Sequence, residues 1–512
     1  MAPHEGGVPL TTISRRELLI ASAGGLLALR SAAPSPPTPA AGDDLCFMPA
    51  ADLASAIRAK KLSPVEVMDA VFARIHALNP RINAYCTLTE ELAKGKAKEA
   101  EAAVMRGDRL PPLHGIPVSI KDLLITRGVR TMYGSRIRET YVPEEDAPSV
   151  AKLLAEGAIL IGKTTTPEFG FQGITESPLT GVTRNPWSLE KTCGGSSGGA
   201  GAAVAAGLGP LAVGTDGGGS IRIPSSLNGI FGLKPSLGRV AVYPPSPVAF
   251  LVHAGPMTRT VGDAALMMNA MAGPDERDLL SLPDDSTNYL EAMSGGIRDL
   301  RVAFSPTLGY AKVDPEVARL TEAAARVFES DLGCKVEIRD PGFESPWKMF
   351  SVLWVTSYGL RLADLLPEWE SRMDPNLVKL TKRMAKLGPT DYAGAIAERA
   401  AHWDMVRKFF ERYDLLLTPT VPVPAFSVGR SAPESYTSSP EDLIPFPDWV
   451  PFTYPFNLTG QPAASVPCGF TQGGLPVGLQ IVGRRFADTT VLKAAAAFES
   501  ARPWEGRRPT LS

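Results

Sequence analysis

The sequence predicts an α/β protein in which helices cover a sheet, and three observations carry that reading. Short, wholly apolar runs, at 158–161 and 211–213, look like buried strands. They alternate with segments that begin and end as helices do. A hydrophobic content of 44% over 512 residues suffices to bury a large core. Strands alternating with helical segments are the pattern of a sheet with helices packed on it.

The elements follow in order. Ser63-Pro64-Val65-Glu66 starts a helix: Ser63 caps, Pro64 fits the first helical position and Glu66 completes a capping box. Met68, Val71, Phe72, Ile75 and Leu78 share one face, and Asn79-Pro80 is expected to end the helix. A charged helix follows from Glu90 to about Arg106. Ile116 to Ile120 reads as a strand, Asp146-Ala147-Pro148 opens a helix ending near Gly157, and Ala158 to Ile161 is the next strand. Ala200 to Gly207 is a small-residue helix before the strand at 211–213. Further on, 301–304 is a strand, Asp314-Pro315-Glu316 caps a helix running to Asp331, and 335–338 is a strand. Leu415 to Leu417 and Leu479 to Val482 complete the buried strands. Residues 343–412 are helix-rich and interrupt the alternation, as an insertion that shapes a pocket would.

The N-terminus reads as an address. Ser14-Arg15-Arg16-Glu17-Leu18-Leu19-Ile20 leads into an apolar stretch ending at Leu29. That stretch is too short for a span of about 20 apolar residues. Small residues and prolines follow from Ser31 to Gly42. The layout resembles a twin-arginine export signal; an ordinary N-terminal helix or tail is the alternative. In a Gram-negative cell the mature chain would reach the periplasm, without a stable membrane anchor. Residues 1–42 are accordingly a signal and Pro/Ala-rich linker, and 43–512 the folded domain.

With a net charge of −2 and neither a basic excess nor a long acidic run, composition does not argue for nucleic acid or an anionic membrane surface as partner, and no nucleic acid is expected. The five cysteines, Cys46, Cys86, Cys193, Cys334 and Cys468, are scattered with no CxxC. They read as mostly single buried or half-buried thiols, not a disulfide framework.

Gly157-Ala158-Ile159-Leu160-Ile161-Gly162-Lys163-Thr164 matches a phosphate-binding loop letter for letter. Its middle residues are, however, the best strand in the region. No helix opens at Lys163-Thr164 to aim its end at a phosphate. Nucleotide binding is not expected here.

The chemistry concentrates in two glycine loops. Cys193-Gly194-Gly195-Ser196-Ser197-Gly198-Gly199 and Gly214-Thr215-Asp216-Gly217-Gly218-Gly219-Ser220 flank one helix and one strand. Both serines can therefore lie at one edge of the sheet. Glycine allows close backbone approach, so the N–H groups of 217–220 can converge on a developing oxyanion. A serine nucleophile needs a base. The histidines, His4, His76, His114, His253 and His402, all lie outside these loops. The letters G-x-S-x-G occur at 194–198 and 195–199, but Ser188 to Thr192 is a poor buried strand to lead into a nucleophile elbow. A Ser–His–Asp triad is thus disfavoured. Lys121 ends the apolar strand in Gly115-Ile116-Pro117-Val118-Ser119-Ile120-Lys121-Asp122, where desolvation would lower its pKa and supply a neutral amine. Taken alone, Lys121-Asp122 would read as a surface ion pair.

At these residues the sequence resembles the amidase signature family, from about Asp52 to Arg502. The marks are Gly-Ile-Pro-Val-Ser-Ile-Lys-Asp at 115–122, Gly-Gly-Ser-Ser-Gly-Gly at 194–199, Thr-Asp-Gly-Gly-Gly-Ser-Ile-Arg at 215–222 and Phe-Gly-Leu-Lys-Pro-Ser at 231–236. Phe-Asn-Leu-Thr-Gly-Gln-Pro-Ala at 456–463 and Gly-Leu-Pro-Val-Gly-Leu-Gln at 474–480 also fit. Cys193 departs from the pattern, where proline is common.

The resemblance implies a large mixed, mostly parallel twisted sheet covered by helices on both faces, in a single catalytic domain. It implies a hydrolase that cleaves a small-molecule amide through an acyl-serine intermediate. Ser220 would be the nucleophile, and Ser196 the bridging serine with a cis peptide bond before or at it. Lys121 would be the base acting through Ser196. Gly217, Gly218, Gly219 and Ser220 would supply the oxyanion hole, supported by Ser197 and Arg222. No metal or organic cofactor is implied. Three alternatives stay open: an esterase or aryl acylamidase using the same site, the amidase subunit of a glutamine-dependent tRNA amidotransferase, and a non-catalytic scaffold. An acyl pocket is expected from Met132-Tyr133-Gly134, from Phe350, Trp354 and Tyr358, and from 449–456. The substrate and the oligomeric state, a homodimer included, are left open.

Overall fold

The computed structural model describes residues 42–439 and 442–511. The export segment read before residue 42 lies outside the described residues. Local chemistry sets the helix Pro64–Ile82 as expected. Val65 N–H donates to Ser63 Oγ (2.9 Å) and Ser63 N–H donates to Glu66 Oε2 (2.9 Å). The helix does not stop at Asn79; it continues through Pro80. In the last turn a proline removes only one hydrogen bond. The reversal comes at Asn83, in the left-handed region at φ 57°, while Asn79 Oδ1 accepts from Ala84 and Tyr85 N–H (2.8 and 2.9 Å).

Eleven strands form one sheet. In chain order they are β1 (Tyr85–Leu88), β2 (Pro117–Lys121), β3 (Ile159–Thr164), β4 (Leu211–Asp216), β5 (Phe231–Lys234), β6 (His253–Thr258), β7 (Arg301–Phe304), β8 (Lys335–Ile338), β9 (Leu415–Pro419), β10 (Ala463–Phe470) and β11 (Pro476–Gly483). The spatial order is β1-β3-β2-β4-β6-β5-β10-β11-β9-β7-β8. The sheet is mixed as expected, but "mostly parallel" does not describe it. Four neighbouring pairs are parallel, β2 with β3 and β4, and β7 with β8 and β9. The other six are antiparallel.

Helices cover both faces, because successive strand residues point opposite ways. On β10, Ala464 and Val466 pack with Val491, Leu492 and Ala495 of the Asp488–Ala501 helix. Ala463 faces the other way, into a cluster with Phe452 and Phe456. Gly42–Ser512 forms one compact unit. Helices Trp347–Leu362, Pro375–Arg383 and Pro389–Arg412 fill the helix-rich stretch and share a separate apolar cluster around Leu353, Tyr358 and Leu377. No described helix is long and apolar enough to cross a membrane.

Two sequence readings resolve here. The phosphate-loop letters lie on β3, with Lys163 Nζ buried and donating to Thr126 Oγ1 (2.8 Å) and Thr131 Oγ1 (3.0 Å). Among the described residues no disulfide forms; three of the five cysteines are buried and two half-buried.

The sheet also positions the functional loops. β2 and β4 run parallel side by side, with Ile120 opposite Val213. Lys121 at the end of β2 and the glycine loop after β4 therefore emerge at the same edge. Ser196 precedes the Gly198–Ala205 helix, which leads back into β4; Ser220 precedes the Arg222–Asn228 helix.

Candidate active site

Lys121 is fully buried at the end of β2. Its Nζ lies 2.7 Å from Ser196 Oγ and 2.9 Å from Thr215 Oγ1. Burial pushes its pKa well below the ordinary 10.5, against the opposing pull of the Asp216 charge. Lys121-Asp122 is not a surface ion pair. Asp122 is also buried and accepts from the N–H groups of Met132 (3.1 Å) and Gly134 (3.5 Å). Burial raises its pKa to about 6.

Ser196 follows a cis peptide bond after Gly195, as expected. Ser197 ties the two glycine loops together. Its N–H donates to Ser220 O (3.1 Å), and its hydroxyl donates to Thr215 O (3.1 Å) and accepts from Thr215 N–H (3.3 Å). Ser220 is 8% exposed and lines the same cavity as Ser196 and Thr215. Among the described residues its hydroxyl has no hydrogen-bond partner, which leaves it open to a ligand.

The loop after β4 is held from behind by a buried carboxylate. Asp216 accepts from Gly219 N–H at Oδ1 (2.7 Å) and from Ile221 N–H at Oδ2 (3.1 Å). This corrects the expectation for Gly219: its N–H is committed to Asp216. The N–H groups of Gly217, Gly218 and Ser220 carry no such bond among the described residues.

Arg222 pairs with Asp216 through Nε (3.0 Å) and Nη2 (2.9 Å). Its remaining N–H groups donate to Thr453 O (2.9 Å), Gln480 Oε1 (2.7 Å) and Asn457 Oδ1 (2.7 Å). All five guanidinium donors are thus satisfied, as a buried charge requires. Burial alone would raise the Asp216 pKa, but the Arg222 charge prevails and holds it well below the usual carboxylate range.

No histidine ring hydrogen-bonds to Ser196 or Ser220 among the described residues. His253, on β6 opposite Asp216, turns Nδ1 toward Leu251 O (2.9 Å) and Asp216 O (3.2 Å). Those two acceptors place its proton on Nδ1, and burial pushes its pKa well below 6.5. Among the described residues no group of three His, Cys, Asp or Glu side chains is placed to hold a metal ion.

The cavity over Ser220, ≈ 150 Å³, has largely apolar walls from Leu123, Tyr133, Phe169, Val252, Trp354 and Tyr358. Tyr133, Trp354 and Tyr358 were expected there. Trp354 Nε1 donates to Phe171 O (3.0 Å) and Tyr358 OH to Phe169 O (3.0 Å), which fixes both rings. Phe350 instead packs against the glycine loop: a Cβ at Gly218 would lie 2.9 Å from its Cζ.

A model of the Amidase family matches residues 66–492. This chain belongs to the Amidase family. It is similar to an acylamidase of Rhodococcus erythropolis, 41% identical over 480 residues that cover 92% of this chain and 98% of the relative. It is also similar to a subunit of the glutamyl-tRNA(Gln) amidotransferase of Moorella thermoacetica, 38% identical over 494 residues, 91% of this chain and 99% of the relative. Among solved structures, a bacterial aryl acylamidase of the amidase signature family superposes with TM-score 0.83 at 32% identity, covering 90% of this chain and 97% of that one. A 6-aminohexanoate cyclic dimer hydrolase gives TM-score 0.82 at 31% identity, covering 91% and 99%. The protein is an amidase, a hydrolase of carbon–nitrogen bonds in non-peptide amides.

In this amidase the segment 449–456 is not a pocket wall. Trp449, Phe452, Tyr454 and Phe456 are buried. Thr453 meets the site from behind, donating from its hydroxyl to Gly218 O (2.7 Å). The walls missed by sequence reasoning include Leu123, Phe169, residues 242–246, Val248, Val252 and Arg361. Thr215, Asp216, Asn457 and Gln480 were also missed as site residues. All four sat inside motifs that carried the resemblance, so the signal was present without a stated role.

Proposed function

We propose that this amidase hydrolyses acyl amides through an acyl-Ser220 intermediate, with neutral Lys121 as the base acting through Ser196. The observation that carries the reading is the 2.7 Å contact between Lys121 Nζ and Ser196 Oγ in a fully buried setting. Lys121 takes the Ser196 proton as Ser196 takes the Ser220 proton, and Ser220 Oγ attacks the amide carbonyl. The oxyanion forms against the free N–H groups of Gly217, Gly218 and Ser220. Each such donor is worth roughly 100- to 1000-fold in rate. The relay returns a proton to the leaving nitrogen, the C–N bond breaks, and water activated by the same relay releases the carboxylate and restores Ser220. Ser197 and Arg222 keep the loops in register.

The aromatic walls favour an amide with an aryl or apolar group. The similarity to an acylamidase and to an aryl acylamidase supports the same substrate class. The test is ammonia or amine release from anilides, fatty amides, small aliphatic amides and glutamine, with matching esters beside them. Wild type should act and Ser220→Ala, still folded, should not. Equal activity of both would remove Ser220 as nucleophile.

A second reading, the amidase component of a tRNA amidotransferase, is favoured by the Moorella thermoacetica relative. Glutamine turnover that requires copurifying subunits would support it; anilide turnover by the isolated chain would oppose it. Export through the Arg15-Arg16 segment is part of the proposal and weighs against that cytoplasmic role. It predicts a mature periplasmic protein lacking roughly the first 42 residues in a Gram-negative host.

A further inference from the structure

Trp354, Ser357, Tyr358 and Arg361 follow one another at helical spacing along the Trp347–Leu362 helix, and all four line the cavity over Ser220. This face begins beside the nucleophile loop, where a Cβ at Gly217 would lie 3.1 Å from the Trp354 ring. It ends at Arg361, seven residues on, or about 10 Å at 1.5 Å rise per residue.

Arg361 differs from the other arginine of the site. Arg222 has every donor taken inside the protein. Arg361 is exposed and, among the described residues, has no hydrogen bond or ion pair. Its guanidinium carbon lies 5.7 Å from the ring centroids of both Phe169 and Tyr358, which also line the cavity. Two aromatic faces restrain the cation without neutralising it. No aspartate or glutamate lines the cavity among the described residues, and Arg361 is the one charged side chain that does. Apolar walls raise the worth of a charge contact above its value in open water.

We propose that Arg361 is a specificity-determining residue that selects amides carrying a carboxylate across one aromatic ring from the scissile nitrogen, so that the carboxylate plus one hydrogen bond reaches a guanidinium about 10 Å along the helix from Trp354. The inference rests on the amidase reading of this cavity. A substrate with its amide carbonyl over Ser220 and an aromatic spacer along Trp354 and Tyr358 brings a terminal carboxylate to the guanidinium fork. The fork then makes charge-assisted hydrogen bonds that no residue of the protein supplies.

The test is calorimetric binding to the Ser220→Ala protein, which holds substrate without turning it over. The probes are 4-acetamidobenzoate and 4-nitroacetanilide, similar in shape and differing in charge. The carboxylate should bind roughly tenfold tighter than the nitro compound at low salt. That ratio should fall to near one in Ser220→Ala/Arg361→Gln and be partly kept in Ser220→Ala/Arg361→Lys. A ratio at or below one in the Ser220→Ala protein, no binding of the carboxylate included, overturns the inference. A ratio unchanged by Arg361→Gln overturns it as well. Turnover of 4-nitroacetanilide by wild type, followed as nitroaniline colour, reads the amidase activity separately. Turnover with no Arg361-dependent ratio therefore refutes the selectivity alone.

Discussion

Lys121 Nζ and Ser196 Oγ stand 2.7 Å apart, with Lys121 wholly screened from solvent. A base must be unprotonated, and burial disfavours the ammonium form. With Lys121 as the proposed base, activity should rise with pH through the Lys121 pKa and stay high above it. Because that pKa is pushed down, the rising limb falls well below 10.5. A pH profile of kcat/KM should show this limb in wild type. Lys121→Ala should lose the limb and roughly 100- to 10,000-fold in rate. Lys121→Arg should be inactive throughout, since a guanidinium does not deprotonate in this range.

The Asp216–Arg222 pair is buried on both sides. Arg222→Met strands the Asp216 carboxylate and the side-chain oxygens of Asn457 and Gln480. It should destabilise the fold by about 3–5 kcal/mol. Adding Asp216→Asn should cost less than the sum of the single changes, because both act on one network. Denaturant melts of the three variants measure this.

Gly218 has room for a hydrogen but not a methyl group, which would sit 2.9 Å from Phe350 Cζ. Gly218→Ala should displace the loop that carries the three free N–H groups of Gly217, Gly218 and Ser220 and lower kcat/KM by at least roughly tenfold. Phe350→Leu in the same protein removes the ring and should recover most of the loss. An absence of recovery would place the defect elsewhere than at the Phe350 contact.

Thr215 Oγ1 is the second partner of Lys121 Nζ, at 2.9 Å. Thr215→Val keeps the shape and removes the acceptor. Lys121 then has Ser196 as its remaining side-chain partner, and kcat should fall more than KM rises. Steady-state kinetics on an anilide separates the two.

The glycine loops made Ser196 and Ser220 legible, because polar residues between clustered glycines have few structural uses. Lys121 ended an apolar strand where desolvation would make it a base, but taken alone the Lys121-Asp122 pair read as a surface ion pair, and the family resemblance supplied its role. Asp216 was not, since an aspartate before three glycines also reads as turn chemistry. Its true partners, Asn457 and Arg222, come from segments 235 residues apart. Gln480 stands 258 residues from Arg222. Only the folded sheet joins them. Trp449 was assigned to the pocket because aromatic composition does not distinguish a wall from a core. Strand direction failed for a similar reason. Alternating helices and strands show that a sheet exists, but the antiparallel pairing of β4, β6, β5, β10, β11 and β9 depends on where each connection crosses.

A covalent acyl group on Ser220 is the intermediate on which the proposed mechanism turns. The direct measurement is mass mapping of the protein quenched during turnover of an acyl anilide. The acyl mass should appear on the peptide carrying Ser220, with no adduct or turnover in Ser220→Ala. An acyl group found on Ser196, or full turnover by Ser220→Ala, would contradict it.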